Sequence, residues 1–160
     1  MRTTPASYYW NFVVPNLEDL RENPRDLRLA FNAAISAFHM SDVFFKYYER
    51  HDPARLSGRN RESFLKYLGV QERSFITVQT AATVYKHMYT YKHYLDGHSP
   101  ASFGVVSKSE GEIVEGGWSD PFIDAVTVTA KDGIKRSLNE ALEKVIHELW
   151  PKILGNDLKD

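Results

Sequence analysis

Cysteine is absent from the 160 residues, which excludes disulfides and thiolate metal sites and fits a reducing compartment. Long apolar runs are missing too. Nothing approaches the roughly 20 residues of a membrane-crossing helix, and the opening residues Met1 to Trp10 lack the apolar stretch of a secretion signal. A cytoplasmic chain with no membrane partner is therefore expected. There is no excess of one charge, with 20 Lys and Arg against 21 Asp and Glu. No molecule-wide field draws this chain to nucleic acid or anionic lipid, so any such binding needs a local patch. Gly104, Gly111, Gly116 and Gly117 have turn spacing rather than the spacing of a dinucleotide fingerprint, and neither a phosphate loop nor a nucleophile elbow occurs. No cofactor and no resident metal are implied.

What is present is a helical pattern. At 42% hydrophobic and 13% aromatic, the chain can bury one substantial core, and a single domain over residues 1–160 is expected. Residues 1–23, rich in rings and turn formers (Tyr8, Tyr9, Trp10, Phe12, Pro15, Asn16), read as an irregular aromatic arm. Asn23-Pro24 reads as a helix start. After it Leu27, Phe31, Ala34, Phe38, Ser41, Phe45 and Tyr48 recur at steps of four and three, the mark of one buried helical face, up to Asp52-Pro53. A basic connection follows, carrying Arg50, His51, Arg55, Arg59, Arg61 and Lys66, with a short helix from Glu62 to Leu68 that Gly69 would stop. A second long helix is expected over 72–95, with Thr77, Ala81, Val84, Met88, Tyr91 and Leu95 on its apolar face. Asp96 to Pro100 ends it.

From 101 to 136 the texture turns to short β-branched segments, Phe103 to Val106, Ile113-Val114 and Ile123 to Thr129, with a hairpin turn at Asp132-Gly133. Ser137 with Glu140 forms a capping-box signature for a C-terminal helix over 137–153, whose apolar face is Leu138, Leu142, Val145, Ile146 and Leu149 and which Trp150-Pro151 ends or kinks. The expected fold is mainly α. It is a helical bundle in which two long antiparallel helices (the hairpin 24–100) and shorter helices enclose one core, with a small antiparallel β hairpin inserted near 101–134.

Two polar stripes on the long helices are the candidate site. Residues seven apart on a helix lie within about 20° of each other, so Asn32 and His39 share a line on the first, flanked by Arg28 and Lys46. Asp42 stands one turn after His39, where it could orient the imidazole. On the second helix Gln79, Thr83, Lys86, Thr90 and His93 form a stripe. There Lys86 sets a cation beside His93, as acid–base cleavage of a phosphodiester requires. The plainer reading of both stripes is the solvent side of a buried helix.

The run Ala30 to Asp42, the Ala-x-x-x-Lys-His segment Ala82 to His87 or its near match Met88 to His93, in which Met replaces Ala, and Asp132-Gly133 before a helix that ends in Trp150 together resemble bacterial and phage proteins of the HEPN superfamily, over about residues 25–153. The resemblance implies a small helical bundle, often a dimer, and in many members a metal-independent ribonuclease whose signature is an Arg followed by a His. Lys86 stands where that Arg is expected, and lysine lacks the planar fork that grips phosphate. Three readings follow. The first is a HEPN-like domain that binds or processes RNA or nucleotides, with Lys86 and His93 catalytic and with Asn32, His39, Arg55, Arg59 and Arg61 holding substrate. The second is a non-catalytic homodimeric interaction module, suggested by the density of aromatic residues. The third and least supported is a metal site using His39, Asp42, His87 or His93, because the second long helix has no carboxylate after Glu72.

Overall fold

The computed structural model describes residues 3–87, 103–106, 125–129 and 134–159. The protein is mainly helical with a small antiparallel sheet, as the sequence pattern predicts. Helix α1 covers residues 5–22 as two α-helical pieces, Pro5–Tyr8 and Val14–Glu22, around a π-helical turn, Tyr9–Val13. Helix α2 is Leu27–His51. A 3-10 turn, Pro53–Leu56, leads to α3, Arg61–Gln71, and then to α4, Ser74–His87. Strands β1 (Phe103–Val106), β2 (Ala125–Thr129) and β3 (Lys135–Ser137) pair antiparallel in that order, with Val105 opposite Val126 and Thr127 opposite Ser137. Helix α5 covers residues 138–154 as Leu138–Lys144, a second π-helical turn Val145–Leu149, and Trp150–Leu154.

Residues 5–22 correct the expectation of an irregular arm. Thr4 and Ser7 exchange reciprocal capping bonds of 2.9 and 3.1 Å, and Pro5 sits at the first helical position, where its missing N–H costs nothing. Tyr9, Val13, Leu17 and Leu20 bury one face. Pro15 had suggested a turn, but the π turn before it accommodates it. Asn23 then ends α1, and Asp26 caps α2 by accepting the Leu29 N–H at 3.1 Å, so α2 starts three residues after Pro24. One further boundary moves. Gly69 lies buried inside α3 rather than stopping it, and a Cβ there would stand 3.2 Å from Ile76 Cγ1, so the lack of a side chain sets the α3–α4 approach. Helix α5 runs through Pro151 to Leu154, within one residue of the expected 137–153.

The two π turns share one cause. In each, a proline stands two residues after the last π residue: Pro15 after Val13, and Pro151 after Leu149. A proline within a helix lacks the N–H and clashes with the carbonyl four residues back, and a π turn widens the helix there. In α5 the Trp150 N–H goes to the Val145 carbonyl. This leaves the Ile146 carbonyl with neither its α partner, Trp150, nor its π partner, Pro151. Tyr9 supplies the missing donor. Its hydroxyl reaches the Ile146 carbonyl at 2.8 Å in a buried setting, and burial pushes its pKa above the ordinary phenol value, which keeps the proton on the oxygen.

Helix α2 is the centre of the core. Ala30, Ala33, Ala34, Ala37, Met40, Phe44 and Phe45 are all buried, a wider face than one stripe because α1 and α4 cover different sides of it. Trp150 of α5 is fully buried and donates its indole N–H to the Ala37 carbonyl at 3.0 Å. On α4, within residues 74–83, Phe75, Val78, Ala81 and Ala82 are buried and Thr77 is only half-buried, so over that stretch the buried face is turned from the expected one, of which Val84 lies outside the described side chains. The sheet joins the helices through Asn139, which accepts the Val126 N–H at 2.8 Å and donates to the Pro24 carbonyl at 3.0 Å. Ser137 accepts the Glu140 N–H at 3.1 Å and caps α5 as expected. Met88, Tyr91, Leu95, Ile113-Val114 and Asp132-Gly133 lie outside the described residues.

Candidate functional site

The basic connection, read from the sequence as a phosphate holder, is folded into internal contacts. Arg55 pairs with Asp157 at 3.0 Å and donates to the Ile153 and Leu154 carbonyls at 3.2 and 3.3 Å, which caps the end of α5. Its guanidinium also lies 4.5 Å from the Tyr48 ring centre. The Tyr48 hydroxyl donates to the same Asp157 carboxylate, and burial together with that bond pushes the phenol pKa well above its ordinary value. Arg59 stacks on Tyr67 at 4.0 Å, and Arg61 pairs with Asp42 at 2.5 Å. Asp42 is thereby turned to Arg61 rather than to His39. Asn32 is half-buried and His39 exposed on the outer stripe of α2. Lys86 and His87 belong to α4, but their side chains and the whole of His93 lie outside what the structure describes. Among the described residues no group of three or more His, Asp and Glu is placed to hold a metal.

Among the described residues, an apolar groove lies on the outside of α3 and α4. It has a volume of about 730 Å³ and is lined by Leu65, Gly69, Val70 and Ile76, with Glu62, Lys66, Arg73 and Gln79 around them. Val70 is 79% exposed and Ile76 53%. The groove arises from helical geometry: Phe64 and Leu68 of α3 and Phe75 and Val78 of α4 point into the core, which turns Val70 and Ile76 outward and leaves the half-buried Leu65, packed against the core, in the groove wall. A neighbouring cleft of about 560 Å³ shares Arg73 and Ile76 and continues to Val128 and Ile134, the last 54% exposed. Scattered exposed apolar residues are ordinary, whereas a contiguous set lining a concave surface is not. At the groove's ends Glu62 is bonded to Lys66 at 2.9 Å, while the Arg73 guanidinium has no ion pair among the described residues.

A third cleft, of about 440 Å³, is lined by Thr3, Val43, Lys46, Tyr47, Arg50 and His51. Lys46 and Arg50 have no ion pair among the described residues, and His51 packs against the Tyr47 ring at 4.5 Å. None of these three clefts is lined by Asn32, His39, Arg55, Arg59 or Arg61. The sequence reading also missed a cluster on the α1–α5 seam. There Arg21 grips Glu143 with two bonds of 2.6 Å and reaches His147 Nε2 at 2.9 Å. The bond from Arg21 holds the Glu143 carboxyl below the ordinary glutamate value, against the opposing effect of burial. Glu143 and His147, one helical turn apart, were visible in the sequence, but nothing there points to Arg21. The Arg21 fork is occupied by Glu143, which makes this cluster a clamp between two helices.

The fold and its surface define a mainly helical module with a small sheet, an outward apolar groove and a separate basic cleft. Comparison with protein-family models, with curated proteins and with solved structures returns no match.

Proposed function

We propose that this protein is a non-catalytic interaction module that seats a helix of a protein partner in the groove between α3 and α4. The observation that carries this reading is the exposure of Val70 and Ile76 side by side in one groove. Groove recognition of this kind uses an apolar strip for affinity and flanking charges for orientation, and Leu65, Val70 and Ile76 between Glu62 and Arg73 provide both. A photo-reactive amino acid placed at Val70 is expected to capture protein adducts in cells. The same group at Glu49, exposed on α2 and not among the groove residues, is expected to capture few. Equal capture at both positions refutes the reading.

A second reading, HEPN-like binding or processing of RNA or nucleotides, draws its support from the third cleft rather than from the arginines first suspected. Lys46 and Arg50 beside the Tyr47 ring combine phosphate-attracting charge with a stacking surface. Binding of single-stranded RNA that weakens with salt and is lost in Lys46→Ala with Arg50→Ala would favour it. RNA affinity that is absent, or unchanged in that double variant, removes it. Cleavage in chelator, compared between wild type, Lys86→Ala and His93→Ala, tests the ribonuclease form directly.

A further inference from the structure

We infer that the cleft between α4 and the sheet is a binding site for a small phosphate monoester, held by Arg73, Arg136 and the hydroxyls of Thr77 and Thr80. The site goes beyond the docking reading and does not depend on it, although Arg73 and Ile76 belong to both surfaces. The cleft measures about 560 Å³, within the roughly 300–1,000 Å³ of small-molecule pockets. Its two walls follow from the period of each element. At about 100° per residue, Arg73, Ile76, Thr77 and Thr80 fall within one sector of about 100° at the start of α4. On the sheet, Val128 and Arg136 are register partners and therefore share a face. Ile134 lines the cleft with them, and one Arg136 N–H donates to the Ile134 carbonyl at 3.3 Å.

The polar groups of the cleft are donors without matching acceptors. Arg73 has no ion pair among the described residues, and the carboxylate next to it in the chain, Glu72, accepts the Ser74 N–H at 3.0 Å. None of the described residues lining the cleft is acidic. The threonines stand out from the helical serines. Ser36, Ser41 and Ser63 return their hydroxyls to carbonyls three residues back at 3.0, 2.6 and 3.2 Å, whereas the half-buried Thr77 and Thr80 make no side-chain hydrogen bond among the described residues. Hydroxyls that are half-buried and not used by their own helix are available to a ligand. Charge then selects its class. A phosphate monoester carries about −1.5 to −2 near pH 7, which suits two guanidiniums, and its three terminal oxygens accept from the arginine forks and both hydroxyls. A monocarboxylate brings less charge and one oxygen fewer. Ile76, Val128 and Ile134 give the ester's body an apolar wall, which favours a compact organic ester over the inorganic ion.

The test is calorimetric titration of the full chain with phenyl phosphate, with benzoate and inorganic phosphate as comparison ligands and circular dichroism confirming that each variant is folded. Phenyl phosphate is expected to bind at one site, at least about tenfold more tightly than benzoate, which has the same ring and less charge. It is also expected to bind more tightly than inorganic phosphate, which has no apolar body. Arg73→Ala and Arg136→Ala should each weaken it at least about tenfold, and Thr77→Val with Thr80→Val, which keeps the shape and removes both hydroxyls, about fivefold. Thr80→Glu leaves both arginines in place and sets a carboxylate against them, so binding should be lost even if Arg136→Ala disturbs the strand. Val70→Glu, a groove residue outside this cleft, should leave the affinity unchanged. The inference is overturned by the absence of saturable binding up to about 10 mM phenyl phosphate, or by wild-type affinity in the two arginine variants and in Thr80→Glu. Benzoate or inorganic phosphate binding as tightly as phenyl phosphate overturns the ligand class, and loss of binding in Val70→Glu overturns the location.

Discussion

Replacing Tyr9 by Phe deletes a single oxygen, and the structure gives that oxygen one task. Tyr9 is buried, and its hydroxyl donates to the Ile146 carbonyl at 2.8 Å. The carbonyl has no backbone donor to fall back on, since Trp150 bonds Val145 and residue 151 is proline. The ring remains, so no substantial cavity opens, and the cost is that of a buried carbonyl left unsatisfied, about 2 kcal/mol. For a chain of this size that corresponds to about 4–8 °C in Tm. Urea unfolding followed by far-ultraviolet circular dichroism should show a lower midpoint with an unchanged slope. The decisive arm is the same change in a Pro151→Ala background, where residue 151 regains an N–H that the π turn aims at Ile146. There Tyr9→Phe should cost less by about 1 kcal/mol, a coupling well within what contacting groups show. Equal costs in both backgrounds would refute the account of the π turn.

Arg55→Ala should destabilise by about 2 kcal/mol through loss of the α5 cap and the Asp157 pair, and Arg55→Lys should recover little, because a point charge cannot hold both groups. Hydrogen exchange should then accelerate first at residues 155–159; unchanged protection there would contradict the capping role. Asn139→Ala leaves the Val126 N–H and the Pro24 carbonyl without the partners they have at 2.8 and 3.0 Å, with an expected loss of about 2 kcal/mol in chemical denaturation. Glu143, with its folded pKa lowered by Arg21, contributes stability that is present above its unfolded value of about 4.3 and is lost as pH falls through the folded value. Acid unfolding in Arg21→Ala should therefore be flatter in that window than in wild type, and parallel profiles would sink the clamp.

Much of the fold was legible because period and buried face are local properties. The spacing of Phe31, Ala34, Phe45 and Tyr48 marks a helix whatever covers it, and all four are buried in α2. The capping residue Ser137 was equally legible. The N-terminal helix was not, since Pro15 and a crowd of rings read as irregular. Its helicity depends on a π turn whose register is supported by packing against α1's neighbours rather than by residues 9–13 alone. The start of α2 shows the same limit. Asn23 and Asp26 are both good caps by residue type, and the choice between them follows from Asn139, 115 residues beyond Pro24, holding the turn.

The contacts of the basic connection were hidden from the sequence for a different physical reason. Summing charges along residues 50–66 treats Arg55 and Arg61 as free, yet their neutralising carboxylates come from Asp157 and Asp42, 102 and 19 residues away. Charge read along a chain measures the field only if tertiary partners are few, and an exposed basic loop beside two helix ends is where they are many. Apolar residues carry the converse ambiguity. Within α3 and α4, Phe64, Leu68, Phe75 and Val78 are buried while Val70 and Ile76 are exposed, and nothing in residue type separates the two sets. They separate only when the direction of α2 from this helical elbow is known. An apolar residue left outside by that geometry is therefore the part of a sequence that speaks least about itself, and in this protein it is the part the proposed partner would touch.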